Sequence, residues 1–179
     1  MPLIRRRSSS PPEGPVGPDD FEVVAHDGWT RVLDDAPLPD GDVVVTHARL
    51  ASERASLRAR PGGLGVRWPN HLALDALVPD LPHLRRVELE FPKFTDGRSY
   101  TLARRLREAH GYRGEVVAVG DVLRDQLLYM HRCGFSAFEL ANTQRPLEAL
   151  RAFADATVHY QAATDHALPL WKRAPRPPA

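Results

Sequence analysis

Between Arg86 and Leu140 the hydrophobic period changes four times, and a turn marks each change. Val87, Leu89 and Phe91 alternate with Glu88 and Glu90, which is the period of a strand. Asp96 can cap a helix over about Arg98–His110, with Tyr100, Ala103 and Leu106 on its apolar side and Gly111 to stop it. Glu115–Val119 is a β-branched strand. Asp121 can cap a second helix, with Leu123, Leu127 and Met130 in one stripe and Val122, Gln126, Tyr129 and Cys133 in the next. Gly134 ends it, and Phe135–Leu140 forms a third strand. Right-handed crossovers make this a parallel βαβαβ unit. The turns FPKFTDGRSY and VGDVLRDQ then share one carboxyl edge, where open α/β sheets bind ligands.

The preceding half is less regular. Trp29–Leu33, Val43–Thr46 and Leu64–Trp68 read as strands, and His47–Arg60 reads as a helix stopped by Pro61, Gly62 and Gly63. Asn70–Leu84 suggests short helical turns, and Pro146 opens a last helix over about Pro146–Tyr160. The expected fold class is α/β: one compact domain over residues 21–170, with either an open sheet or an incomplete barrel. Five of the 17 prolines lie in the first 20 residues. Residues 1–20 and 171–179 therefore read as disordered proline-rich arms, with too little apolar surface to offset ordering entropy.

Composition excludes several classes. There are 24 Lys and Arg against 23 Asp and Glu, which argues against a dedicated nucleic-acid binder. No apolar run approaches the roughly 18 residues that span a bilayer, so no membrane association is expected. The three arginines Arg5–Arg7 precede no apolar core, so the N-terminus does not read as a secretory signal. Cys133 is the single cysteine, which rules out a four-cysteine zinc site or an iron–sulfur cluster held by cysteines within one chain. The turn Val119–Val122 has one glycine followed by an aspartate, not the glycine-rich dinucleotide fingerprint. No cofactor and no metal site is evident.

The carboxyl edge gathers Lys93, Asp96, Arg98, Asp121, Arg124, Asp125 and Gln126. These residues suit either a small-anion site or a partner surface. Arginines and helix starts provide donors and positive charge for a small anion. The competing reading is structural: Arg98 pairs with Asp96 or Asp121, Arg124 pairs with Asp125 or Glu90, and the aspartates act as N-caps. Glu88 and Glu90 project from one strand face, about 7 Å apart, and Glu139 can share it. Such carboxylates suit metal binding or acid–base work, or simply a wet sheet face. Cys133, at a helix C-terminus, reads as a buried structural thiol.

The linked motifs FPKFTDGR, GDVLRDQL and RCGF, in that order, resemble the proteobacterial domain-of-unknown-function family 934. The resemblance is strong over Arg86–Leu140 and looser on either side. It implies a cytoplasmic protein of sulfur assimilation, because members are described as oxidoreductases of sulfite reduction from their being encoded beside sulfite reductase. The leading expectation is an accessory protein of assimilatory sulfite reduction with sulfite reductase as partner. The alternative is a small oxidoreductase or other enzyme of sulfur metabolism holding a small anion at the carboxyl edge. The family supplies no catalytic residues to carry over.

Overall fold

The computed structural model describes residues 3–7, 16–156, 158–166 and 168–173. In chain order its elements are β1 (Leu3–Arg6), β2 (Phe21–Val24), β3 (Trp29–Arg31), β4 (Asp42–Thr46), α1 (His47–Ser52), α2 (Arg54–Ala59) and β5 (Leu64–Trp68). There follow β6 (Arg86–Phe91), α3 (Arg98–Glu108), β7 (Glu115–Gly120), α4 (Leu127–Arg132), β8 (Ala137–Glu139), α5 (Pro146–Ala149) and α6 (Leu170–Arg173). The strands form one mixed sheet in the order β2-β1-β8-β7-β6-β5-β4-β3. From β3 to β8 neighbours are parallel and in chain order, while β1 runs antiparallel to both β8 and β2. The expected α/β class and parallel βαβαβ unit are present.

This sheet is curled. Its two edge strands, β2 and β3, are joined by residues 25–28 alone. Five Cα steps reach at most about 17 Å, whereas seven strand spacings in a flat sheet cover about 34 Å. The same curl brings Arg31 of β3 onto Glu139 of β8, strands that a flat sheet would hold about 24 Å apart. The sheet remains open, since β2 and β3 are not paired.

Alternation assigns the two faces. On the convex face Val43, Val45, Val66, Trp68, Val87, Leu89, Phe91, Val116, Ala118 and Phe138 join one apolar core with Leu50, Leu57, Leu102, Leu106, Leu127 and Met130 of the helices. Leu102, Ala103 and Leu106 form the buried side of α3, with Ser99 fastening its first turn to the Glu90 carbonyl at 2.6 Å. The concave face carries a small apolar cluster, Leu3, Val117, Val119 and Ala137, beside charged residues described below.

Several expectations need correction. Residues 3–6 are not part of an arm: Ile4 is fully buried in the core, and the strand pairs on both sides. Residues 18–20 form a 3-10 turn. Of the arm expected over residues 1–20 and the tail over 171–179, residues 1–2, 8–15 and 174–179 lie outside the described residues, whereas residues 171–173 belong to α6. The helix expected over His47–Arg60 breaks at Glu53, whose φ of −113° and ψ of 23° leave the helical region. The helix expected from Asp121 starts later, with a 3-10 turn at Arg124–Gln126 leading into α4. The last expected helix is α5 followed by a 3-10 turn ending at Ala154, well before Tyr160.

Beneath β1 and β2, Phe21 stacks on Phe153 at 3.6 Å between ring centroids and meets His131 edge-on at 5.4 Å. Burial, followed by the Arg6 charge, pulls the His131 pKa down to about 4. The folded pKa is thus depressed below the ordinary value near 6.5. The unfolded chain binds the proton first, so this group withdraws stability as pH falls from about 6.5 to about 4. Thermal unfolding should show that loss in the intact chain, on the order of 3 kcal/mol. His131→Phe should have a flatter pH dependence across the same window; an unchanged slope would mean that His131 titrates freely.

Candidate functional site

The carboxyl edge is built from the two loops that follow β6 and β7. Gly120 turns the chain at a φ of 105°, where a Cβ would lie 2.4 Å from the Phe91 carbonyl oxygen. Only glycine fits that approach. Asp121 then donates its backbone N–H to the Phe91 carbonyl at 2.8 Å. Its carboxylate accepts the Phe94 N–H, also at 2.8 Å. Gln126 is buried, accepts the Leu123 N–H and donates to the Phe94 carbonyl at 3.2 Å. Both backbone groups of Phe94 are therefore held by the opposite loop, while the residue as a whole is 42 % exposed. Tyr129, one turn beyond Gln126, is 57 % exposed and leans on Tyr100 at 5.1 Å. Burial is the first cause that pushes the Tyr100 phenol up to about 12, so it stays a neutral donor.

The charged residues of this edge divide among separate partners. Arg98 makes a two-bonded pair with Asp96, at 3.0 and 2.6 Å. Arg98, and then the buried Asn70, hold the Asp96 carboxyl well below the usual carboxylate range. Gly97, not Asp96, is the N-cap of α3, and Asp96 reaches the Arg98 N–H only at 3.3 Å. Arg124 pairs with Asp155 at 2.8 Å, not with Asp125 or Glu90. It also lines a cleft of about 320 Å3 with Gln144, Arg145, Glu148 and Arg151. Lys93 and Asp125 are exposed. The loops thus bring Asp121 and Gln126 together on Phe94, and leave Arg98 and Arg124 on different carboxylates.

A second constellation lies on the concave face. Glu88 is fully buried and receives arginines from three strands. Arg31 of β3 reaches it at 3.1 Å, Arg67 of β5 at 3.1 Å, and Arg86 of its own strand at 3.6 Å. Arg86, 1 % exposed, also holds Asp27 at 2.6 Å and Glu115 at 2.6 Å. Arg5 of β1 joins Glu115 at 2.7 Å. Arg31 continues to Glu139, and Arg67 to Glu90 at 4.0 Å. The Arg86 guanidinium lies 4.7 Å from the Trp29 ring centroid, and Gly65 makes room, since a Cβ there would be 3.1 Å from that ring.

Electrostatics follow this layout. Burial pushes the Asp27 carboxyl up, but Arg86, the Trp29 N–H and Arg5 outweigh it and hold its pKa below the ordinary value. Burial likewise pulls Arg31 down, and Glu88 with Glu139 reverse that to a net rise. Glu88, Glu90 and Glu139 do share one face, and guanidinium groups occupy their oxygens. Alternation alone pointed to that face, but nothing local pointed to Arg5, Asp27, Arg31 or Arg86 as its partners. Cys133 is buried, and burial pushes its thiol up. Among the described residues no three His, Cys, Asp or Glu side chains are placed to hold a metal ion, and no helix is long and apolar enough to cross a membrane.

Removing one partner from a buried ion pair typically costs about 3–5 kcal/mol. Glu88→Gln keeps the shape and deletes the charge that faces three arginines. Urea denaturation should show a loss in that range. A loss below about 1 kcal/mol would mean that the arginines do not depend on Glu88.

No curated protein and no solved structure matches the chain. The model of one family, described as "Bacterial protein of unknown function (DUF934)", matches residues 65–171. That span is more than half of the chain and includes both carboxyl-edge loops, all but the first residue of β5, β6 to β8 and α3 to α5. The chain therefore belongs to the DUF934 family.

Proposed function

We propose that this protein is a cytoplasmic accessory factor of assimilatory sulfite reduction that docks on sulfite reductase through the carboxyl edge, between Lys93–Tyr100 and Gly120–Gln126. Family resemblance supplies the partner. The observation that carries the docking role is the Phe94 clamp: Asp121 and Gln126 fix both backbone groups of a residue whose ring faces solvent. Ordering a loop costs conformational entropy. Rigid aromatic side chains held in advance lose little more on binding, and such residues dominate interface energetics. The Asp96–Arg98 pair beside Phe94 fits the polar rim that surrounds such an anchor.

The cleft that joins Arg124 to Arg145 and Arg151 favours a second reading. In it the protein is a small oxidoreductase or other enzyme of sulfur metabolism, and the three guanidinium groups hold a small anion such as sulfite. Arg98, tied to Asp96, has no place in that cleft.

The docking reading is tested by pull-down and titration with purified sulfite reductase. The intact chain should bind, and Phe94→Ser should weaken binding about 30-fold, the scale of an aromatic anchor worth about 2 kcal/mol. Thermal stability should change little, because the ring is exposed. Failure of the intact chain to bind sulfite reductase contradicts the partner. Full-strength binding by Phe94→Ser contradicts the surface. Sulfite binding that is lost in an Arg124→Ala, Arg151→Ala double variant would select the second reading.

A further inference from the structure

The two edges of the curled sheet face each other across a cleft of about 410 Å3, which none of the carboxyl-edge residues lines. Its volume falls within the roughly 300–1,000 Å3 of small-molecule sites. Leu3 and Val24, from β1 and β2, form an apolar wall. The strap of residues 25–28 closes one side, fixed where the Trp29 N–H donates to Asp27 at 3.1 Å. Asp27, Arg31 and Glu139 bring charges of both signs to the same space.

That mixture restricts what can enter. A lone anion would meet Asp27 and Glu139, and a lone cation would meet Arg31 and the buried Arg86. Either would face like charge at close range, which opposes binding. A ligand with one charge of each sign keeps every group paired. Arg31 is suited to hold the negative end. Its side chain is 40 % exposed, and its bonds to Glu88 and Glu139 use Nε and Nη2, so Nη1 takes no part in them. A carboxylate on a guanidinium edge is a strong, directional contact. Glu139 has Arg31 as its ion-pair partner among the described residues, and its remaining lone pairs suit an ammonium group. Trp29 adds an aromatic wall, although Arg86 already lies over its ring.

We propose that this cleft binds a small zwitterion of the α-amino-acid type, with its carboxylate on Arg31, its ammonium between Asp27 and Glu139, and its side chain against Leu3 and Val24. The site is separate from the docking surface and does not rest on it.

The test is an NMR titration of the ¹⁵N-labelled full chain with each of the twenty L-amino acids at millimolar concentration. At least one should produce saturable shifts centred on the amides of residues 25–31. Removing either the amino or the carboxylate group from the best binder should weaken it at least tenfold. Glu139→Gln should weaken it tenfold as well. Ala25→Trp, which crowds the mouth without touching an ion pair, should abolish binding while the chain stays folded. The proposal is overturned if no amino acid moves those amides. It is also overturned if the charge-deleted analogues bind equally well, or if both variants bind like the intact chain.

Discussion

Glu88 has no contact with solvent, and arginines from three strands converge on it. A carboxylate in that position is tolerable only when its lone pairs are occupied by charged donors. Arg67 and Arg86 come from its own or the adjacent strand and would reach it in a flat sheet. Arg31 comes from β3, two strands further along, and also grips Glu139 across the opening. The lattice therefore depends on the curl and also reinforces it, because relaxing the sheet would leave Arg31 and Glu139 apart. Burying charge contributes little net stability compared with apolar packing of the same shape. What it contributes here is register, since a one-residue slip of any strand would turn its charged side chain to the apolar convex face.

The two faces thus do different work. The convex face is an ordinary apolar core closed by helices and 3-10 turns. The concave face is held by directional pairs and ends in the cleft between the sheet edges. The carboxyl edge is a third environment. Its ion pairs, Arg98 with Asp96 and Arg124 with Asp155, lie at the surface and are screened by solvent, so they add little to stability. Its firm contacts are the backbone bonds around Phe94. Weak rim charges around an aromatic residue with a clamped backbone are what the proposed docking role requires.

Much of this architecture was legible in the residues. Strict alternation in Val87–Phe91 and the β-branched run at Glu115–Val119 identified two central strands, and Gly111 and Gly134 marked the ends of α3 and α4. Their turns placed Asp96, Asp121 and Gln126 at the carboxyl edge. What those residues do there was hidden. Asp121 has the look of a helix cap, but its acceptor is used by Phe94, 27 positions earlier. β1 was hidden because two apolar residues beside three arginines form too short a signal, and its partner β8 lies at the other end of the chain. The concave lattice was hidden for the same reason: Arg31 and Glu88 are 57 positions apart, and side-chain periodicity carries no information about contacts made by curling.

A double-mutant cycle on Arg31→Met and Glu139→Gln, read by urea denaturation, measures the coupling between β3 and β8 directly. In a sheet curled as described, the two side chains touch, and the coupling should be about 0.5–3 kcal/mol. Strictly additive effects, within about 0.3 kcal/mol, would mean that the two sides of the sheet do not meet, and both the lattice and the cleft would go with it.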